Sequence, residues 1–279
     1  MNTLQTKLVK IVFGSIVLGG LLGTIAIFYF ESELPNISSI EDYHPQTGTK
    51  IYSDDGHLIA RLAWERRTVI PINQIPDHVK HAFLAAEDSN FYQHKGLDYF
   101  GILRAFLKNL RPGAHLQGAS TITQQTVKTL IVGPERSYSR KIREALLSRR
   151  LEQLLTKDEI LHLYLNQIYF GIGAVGIAVY GVEEAAQNFF GKSVSELDIG
   201  EAALLSAIPK NPSKYTILAN PAAAKTRQKY VLAQMVNNRW ATQGQADTAI
   251  QTPIPKPQAP PPYLNKAPHY IEFVRRQLL

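Results

Sequence analysis

The sequence predicts a mainly α-helical protein with a small β-hairpin region, preceded by one transmembrane helix. Three observations carry that expectation. Beyond Pro76, apolar residues recur at three- and four-residue spacing in one segment after another, the period of helices with one buried face. One stretch, Lys50 to Leu62, reads as two strands around a tight turn. From Ile11 to Phe30 the chain carries no charge over about 20 residues, the length of one helical bilayer crossing.

The anchor comes first in the chain. Lys7 and Lys10 precede it and Glu31 and Glu33 follow, an asymmetry that keeps the amino-terminal end in the cytoplasm and sends everything after residue 31 outside. A cleaved signal peptide is the alternative, but the apolar run is long for one and no small-x-small cleavage site follows. The expected organisation is a cytoplasmic tail (1–10), a membrane anchor (11–30), a polar linker (31–48), a catalytic domain (49–245) and a proline-rich spacer opening a further domain (246–279).

Composition narrows the chemistry. The 279 residues include no cysteine, which excludes disulfides, thiolate nucleophiles and cysteine metal sites. A formal net charge of +7 favours partners that carry phosphate: nucleic acid, an anionic lipid surface or a diphosphate. Charge alone does not choose, but the anchor fixes a location outside the cytoplasm, and no nucleic-acid partner is expected.

After the linker, Asp54-Asp55-Gly56 lies between Lys50-Ile51-Tyr52 and Leu58 to Leu62, with glycine where a hairpin turn wants positive φ. Arg66 to Ile70 offers a third short strand. Past Pro76 the pattern turns helical and is expected to stay so. His78 to Ala86 forms a short helix with Asp77 as its cap and Val79, Ala82, Phe83 and Ala86 as its apolar stripe. Glu87 and Asp88 then stand where that helix ends. A carboxylate there, backed by Phe83 and Phe91, is partly desolvated, which raises its pKa and suits it to proton transfer. A solvated acidic pair is the plain alternative.

Leu97 to Leu110 carries a broad apolar face interrupted by Arg104 and Lys108, either ordinary core or a helix that dips into lipid headgroups. Ser120 is a candidate N-cap. From it, Gln124 and Lys128 follow on one helical face with Thr121 and Gln125 beside them, either solvated surface or, after Gly118, a cradle for an oxyanion or phosphate. Arg136, Arg140, Lys141 and Arg143 gather around Glu144. Arg140 and Glu144 sit four apart, as an exposed ion pair or as a second carboxylate kept ionised by cations. Thr156 caps the next helix, which runs to Tyr169. Phe170 to Gly176 is glycine-rich but lacks the strand and lysine of a nucleotide loop. Helical patterns continue over 182–189, 196–207 and 221–240.

These motifs, in this order, resemble glycosyltransferase family 51, the peptidoglycan glycosyltransferase module of class A penicillin-binding proteins, over residues 50 to 245. Glu87-Asp88, Phe91, His94, Gly96 and Asp98 fit its first motif, and Gly118 to Gln125 its second. Arg140-Lys141 with Glu144 fits the third; Lys157, Ile160, Tyr164-Leu165-Asn166, Tyr169 and Gly171 fit the fourth. Glu201 to Pro212 with Arg227, Val231, Leu232 and Met235 is similar to its closing region. His162 stands where the family usually has glutamate and Thr129 where asparagine is common, differences that bear on local packing. No Ser-x-x-Lys or Lys-Thr-Gly occurs, so penicillin binding is not expected of this stretch.

The resemblance implies a lysozyme-like α-helical fold and polymerisation of lipid II, with undecaprenyl-diphosphate-linked glycan as donor, at the outer face of a bacterial cytoplasmic membrane. Glu87 becomes the base. Lys128, Arg136, Arg140 and Arg143 neutralise the leaving diphosphate, with Glu144 orienting them or holding a divalent cation such as Mg2+ or Mn2+; no cofactor is strictly required. Ser120, Thr121, Gln124 and Gln125 orient substrate, Phe91 lines the site, and Asp88 and His94 shape the loop. Cell-wall synthesis proteins are expected partners. A lytic glycan-cleaving enzyme and a non-catalytic scaffold are the competing readings.

Overall fold

The structure is a computed structural model that describes residues 3–32, 34–35, 49–56, 58–62, 65–110, 118–133, 135, 137–173, 176–254, 270 and 273–274. Most of the expected linker and proline-rich spacer, together with Arg136, lies outside the described residues.

The amino-terminal segment is one helix, α1 (Thr3–Ser32), with Phe13, Val17, Leu18, Leu21, Ile25 and Phe28 exposed. Among the described residues no helix is long and apolar enough to cross a membrane. Several α1 side chains within 11–30 lie outside the described set, so the expected crossing rests on the sequence.

The hairpin forms as expected. Strands β1 (Thr49–Tyr52) and β2 (Leu58–Leu62) pair antiparallel, and Gly56, at φ 79°, donates its amide to Ser53 O at 3.0 Å to close the turn. The third strand, β3 (Glu65–Arg67), begins earlier than expected and does not extend the hairpin. It joins a second sheet in the order β3-β5-β4, parallel to β5 (Ala178–Tyr180), with β4 (Tyr169–Ile172) antiparallel on the far side. The chain therefore does not stay helical after Pro76. Glycine hid β4 in the sequence: at Gly171 the backbone holds φ 93° and a Cβ would meet the Pro212 side chain at 2.9 Å, so no β-former can stand there.

Helices build the rest. α2 (Asp77–Glu87) packs on α8 (Ile199–Ala207) and α10 (Pro221–Asn237), while α4 (Ile122–Val127) packs on α5 (Tyr138–Leu154) and α6 (Lys157–Gln167). Phe83 joins the two groups: its ring meets Tyr164 of α6 and Phe170 of β4 edge-on, at centroid separations of 6.4 and 6.0 Å. Phe83, Phe91, Phe170 and Phe189 are the largest wholly buried side chains.

Two caps differ from expectation. Pro76 occupies the N-cap of α2, and Asp77 is its first helical residue, paired with Lys80 at 2.7 Å. Thr121, not Ser120, caps α4, and forms a reciprocal capping box with Gln124. Thr156 caps α6 as expected. His162 Nε2 lies 3.1 Å from Ile70 O.

The helix expected over 97–110 is α3 (Tyr99–Asn109), capped by Asp98, which accepts from Gly101 N at 2.8 Å. It is not core. Only Gly101 and Ala105 are buried, while Phe100 is 84% exposed and Leu103, Phe106, Leu107 and Leu110 are exposed beside it.

Candidate active site

Glu87 is the last residue of α2, with Asp88 as the C-cap, so the acidic pair stands at a helix end. Glu87 is half-buried as a residue, and its Oε1 is shielded from solvent. Its Oε2 accepts a hydrogen bond from Gln125 Nε2 at 2.9 Å, and its Oε1 has no partner among the described residues. Burial pushes its pKa up. The Gln125 bond and the charges of Lys210 and Arg227 pull the other way, and Asp88 adds to the rise.

Asp88 holds the site together. Its Oδ2 accepts from Ile122 N at 3.0 Å and faces His94 Nε2 at 2.9 Å, which ties the loop after α2 to the first turn of α4. That loop is pinned again where Thr121 Oγ1 donates to Gly96 O at 2.6 Å. Gly96 is required there: φ is 88°, and a Cβ would lie 2.8 Å from Ser148 O of α5. Asp88 and His94 are thus in contact within that loop, and Asp88 ties it to α4.

Several other expected contacts take different roles. Phe91 is wholly buried in the hydrophobic core, with Lys157 Nζ 4.3 Å from its ring centroid. Thr121 and Gln124 are buried within the capping box. The amides expected to cradle an anion are already satisfied: Thr121 N by Gln124 Oε1, Gln124 N by Thr121 Oγ1 and Ile122 N by Asp88. Glu144 is 2% exposed and its two oxygens pair with Lys141 Nζ and, at 3.3 Å, with Arg140 Nη1. Lys141 also donates to Ser120 Oγ at 3.0 Å, joining this buried cluster to the cavity edge. Among the described residues no three carboxylate or imidazole groups converge to hold a metal ion, and Glu144 has both oxygens engaged, so it does not fit the cation considered for it.

Two cavities flank the Glu87–Gln125 pair. One, of about 390 Å3, is lined by Glu87, Ser120, Arg104, Lys108, Tyr230 and Gln234. The other, of about 220 Å3, is lined by Gln125, Lys128, Tyr164, Tyr169, Pro209 and Pro212. It shares Tyr169 and Pro212 with a shallow apolar groove of about 780 Å3 that carries Ile172 and Leu218. Arg227 spans the space between helices, its Nη2 donating to Ala86 O at 3.2 Å and its guanidinium 4.2 Å from the Tyr230 ring centroid. The cations are therefore distributed around the acid and do not form one patch. Lys128 faces the second cavity, and Arg140 is held by Glu144.

Sequence reasoning named Lys141, Arg104, Lys108 and Arg227 without giving them a role, and passed over Lys210, Tyr230 and Gln234. A lone lysine enclosed by Pro209 and Pro212 after an apolar helix was a signal for Lys210. Arg227 and Tyr230, three apart on one helix, were another.

The chain matches the transglycosylase family over residues 55–236. Penicillin-binding protein 1A of Rickettsia bellii is 44% identical over 256 residues, covering 91% of this chain and 32% of that protein. The protein of the same name from Neisseria meningitidis is 41% identical over 276 residues, covering 99% of this chain and 32% of that protein. The chain thus spans about a third of the length of these relatives. Among solved structures, penicillin-binding protein 1A from Haemophilus influenzae aligns with a TM-score of 0.45 at 24% identity, over 85% of this chain and 24% of that one. With the family's match extending over well over half of the residues and enclosing Glu87, Gln125, Lys128, Glu144 and Arg227, the chain belongs to the transglycosylase family.

Proposed function

We propose that this chain is a peptidoglycan glycosyltransferase that polymerises lipid II, anchored by residues 11–30 in a bacterial cytoplasmic membrane with its amino terminus inside. The observation that carries the reading is the Glu87 carboxyl. Its proton affinity is raised by burial, one oxygen is held by Gln125, the other is buried without a partner among the described residues, and the residue lines a polar cavity.

Glu87 takes the proton from the acceptor's 4-hydroxyl as that oxygen forms its bond to the donor's anomeric carbon from the face opposite the diphosphate. The bond from that carbon to the diphosphate oxygen breaks, so configuration inverts and undecaprenyl diphosphate leaves with the electron pair. Diphosphate leaves readily, so what the protein supplies on that side is positive charge. Lys128 faces the second cavity and serves the leaving group, with Arg143 and, from the sequence, Arg136 in the same stretch. Arg140 and Lys141 act through Glu144, which fixes where they stand. The outward apolar face of α3 supports a seat at the headgroup level, where both lipid-linked substrates reside.

The test is polymerisation of purified lipid-linked precursor by the full chain in detergent. Glu87→Gln is expected to abolish polymer while preserving the fold. Substantial polymer from the variant would remove Glu87 as the base.

A further inference from the structure

The reaction proposed above handles two lipid diphosphates, and only one of them leaves. The one on the acceptor stays attached and must be held while the sugar at its other end reacts. Lys128 and the cavity it lines serve the leaving group. The structure carries a second pair of cations on the opposite side of the Glu87–Gln125 pair.

Arg104 and Lys108 lie one turn apart on α3, a rise of about 6 Å, so their side chains point the same way. Both line the catalytic cavity with Glu87, and neither lines the cavity that Lys128 occupies. The same two residues also line a separate groove of about 450 Å3 whose other walls are Phe100, Leu103 and Leu107. They therefore stand where a polar cavity meets an exposed apolar groove. Among the described residues neither has a hydrogen bond or ion pair. The cavity's three carboxylates have other partners: Asp88 holds Ile122 N and His94, Asp98 caps α3 and accepts from Asn90 Nδ2 at 3.2 Å, and Glu87 accepts from Gln125.

Resting on that function, we infer that Arg104 and Lys108 form the binding site for the diphosphate of the lipid-linked acceptor, with its polyprenyl chain lying along Phe100, Leu103 and Leu107. The order of groups decides between this occupant and the bilayer. Such an acceptor runs sugar, diphosphate, polyprenyl chain; around the circumference of α3 the structure runs catalytic cavity, paired cations, apolar groove. A phospholipid headgroup would account for the cations and the groove but has no use for cations that also line the catalytic cavity. Charge complementarity is strongest for the group with two adjacent phosphates.

The experiment uses the full chain in neutral detergent, with glycan preassembled on polyprenyl diphosphate as donor and the lipid-linked disaccharide as varied acceptor. In the double variant Arg104→Gln/Lys108→Gln, the acceptor KM is expected to rise about tenfold or more, with kcat and the donor KM held. An acceptor whose sugar joins the polyprenyl chain through a phosphate-free ether should show no such difference between wild type and variant. The charge-conserving variant Arg104→Lys/Lys108→Arg should restore most of the acceptor affinity. An unmoved acceptor KM, or an equal loss with the phosphate-free acceptor, overturns the assignment. A defect that emerges only in phosphatidylglycerol vesicles and vanishes in neutral detergent also overturns it, and gives the cations to the bilayer. Failure here is distinguishable from failure of the parent reading, because a wild-type chain that makes no polymer sinks the latter.

Discussion

The surroundings of Glu87 bear directly on the role of base proposed for it. A carboxyl withdrawn from water resists ionisation, and the Gln125 amide, with the charges of Lys210 and Arg227, restrains that resistance. The bond from Gln125 favours the charged form, so losing it must raise the Glu87 pKa further. A base acts when ionised, so activity climbs as pH rises through that pKa. Gln125→Ala is therefore expected to move the acidic limb of the pH profile of kcat/KM to higher pH. The groups facing Glu87 besides Gln125 are Asp88, Lys210, Arg227 and Tyr164, and none is altered by the change. A uniform loss of rate with an unmoved limb would mean that Gln125 only packs against the acid. Residue by residue, the sequence disclosed the acid and the direction in which burial shifts it, but not the charges that oppose the shift. Two acids at the end of an amphipathic helix are legible. Lys210 and Arg227 are not, because they arrive from more than 120 positions away through tertiary packing.

At the scale of elements, the short helix α4 does more than carry polar side chains. Its first turn is tied to the loop after α2 by Asp88 and by the Thr121 bond to Gly96 O, and it delivers Gln125 to Glu87. Here the sequence misled in an instructive way. Ser120 and Thr121 are adjacent hydroxyls with equal claim to the cap, and the choice is made by Gly96, 25 positions away. The glycines that hid β4 did so for a similar reason: they allow a close approach by Pro212 that no local pattern announces. Removing the cap tests the coupling between element and site. Thr121→Ala is expected to destabilise the chain by about 1 kcal/mol, read as a lower midpoint of thermal unfolding in detergent. It should also lower kcat well below the permissive temperature. Thr121→Ser, which retains the hydroxyl, should recover both. Normal kcat in the alanine variant would show that α4 is held by its packing alone.

In the whole molecule, the site lies on a seam. One side, α2 with α8 and α10, brings Glu87, Lys210, Arg227 and Tyr230; the other, α4 with α5 and α6, brings Ser120, Gln125, Lys128 and the Arg140–Lys141–Glu144 cluster. The helical class, the hairpin and most of the motifs on both sides were legible because each is local. The seam was not, since it exists only after the two sides meet. Phe83 is the side chain that registers them: four residues before Glu87, it lies on the same helical face and presses on Tyr164 of α6 and Phe170 of β4. Truncation to alanine should cost about 3–5 kcal/mol, because a wholly buried aromatic leaves a cavity that rigid neighbours fill poorly. Phe83→Leu is the more informative variant. It keeps an apolar filling but loses both ring contacts, so the chain should stay folded while α2 shifts against α4. The expected result is a modest drop in the unfolding midpoint together with a fall in kcat and a shift of the acidic limb to higher pH, as the Gln125–Glu87 bond lengthens. If kcat and the limb hold while stability falls, the two sides are registered elsewhere, and Phe83 contributes packing without alignment.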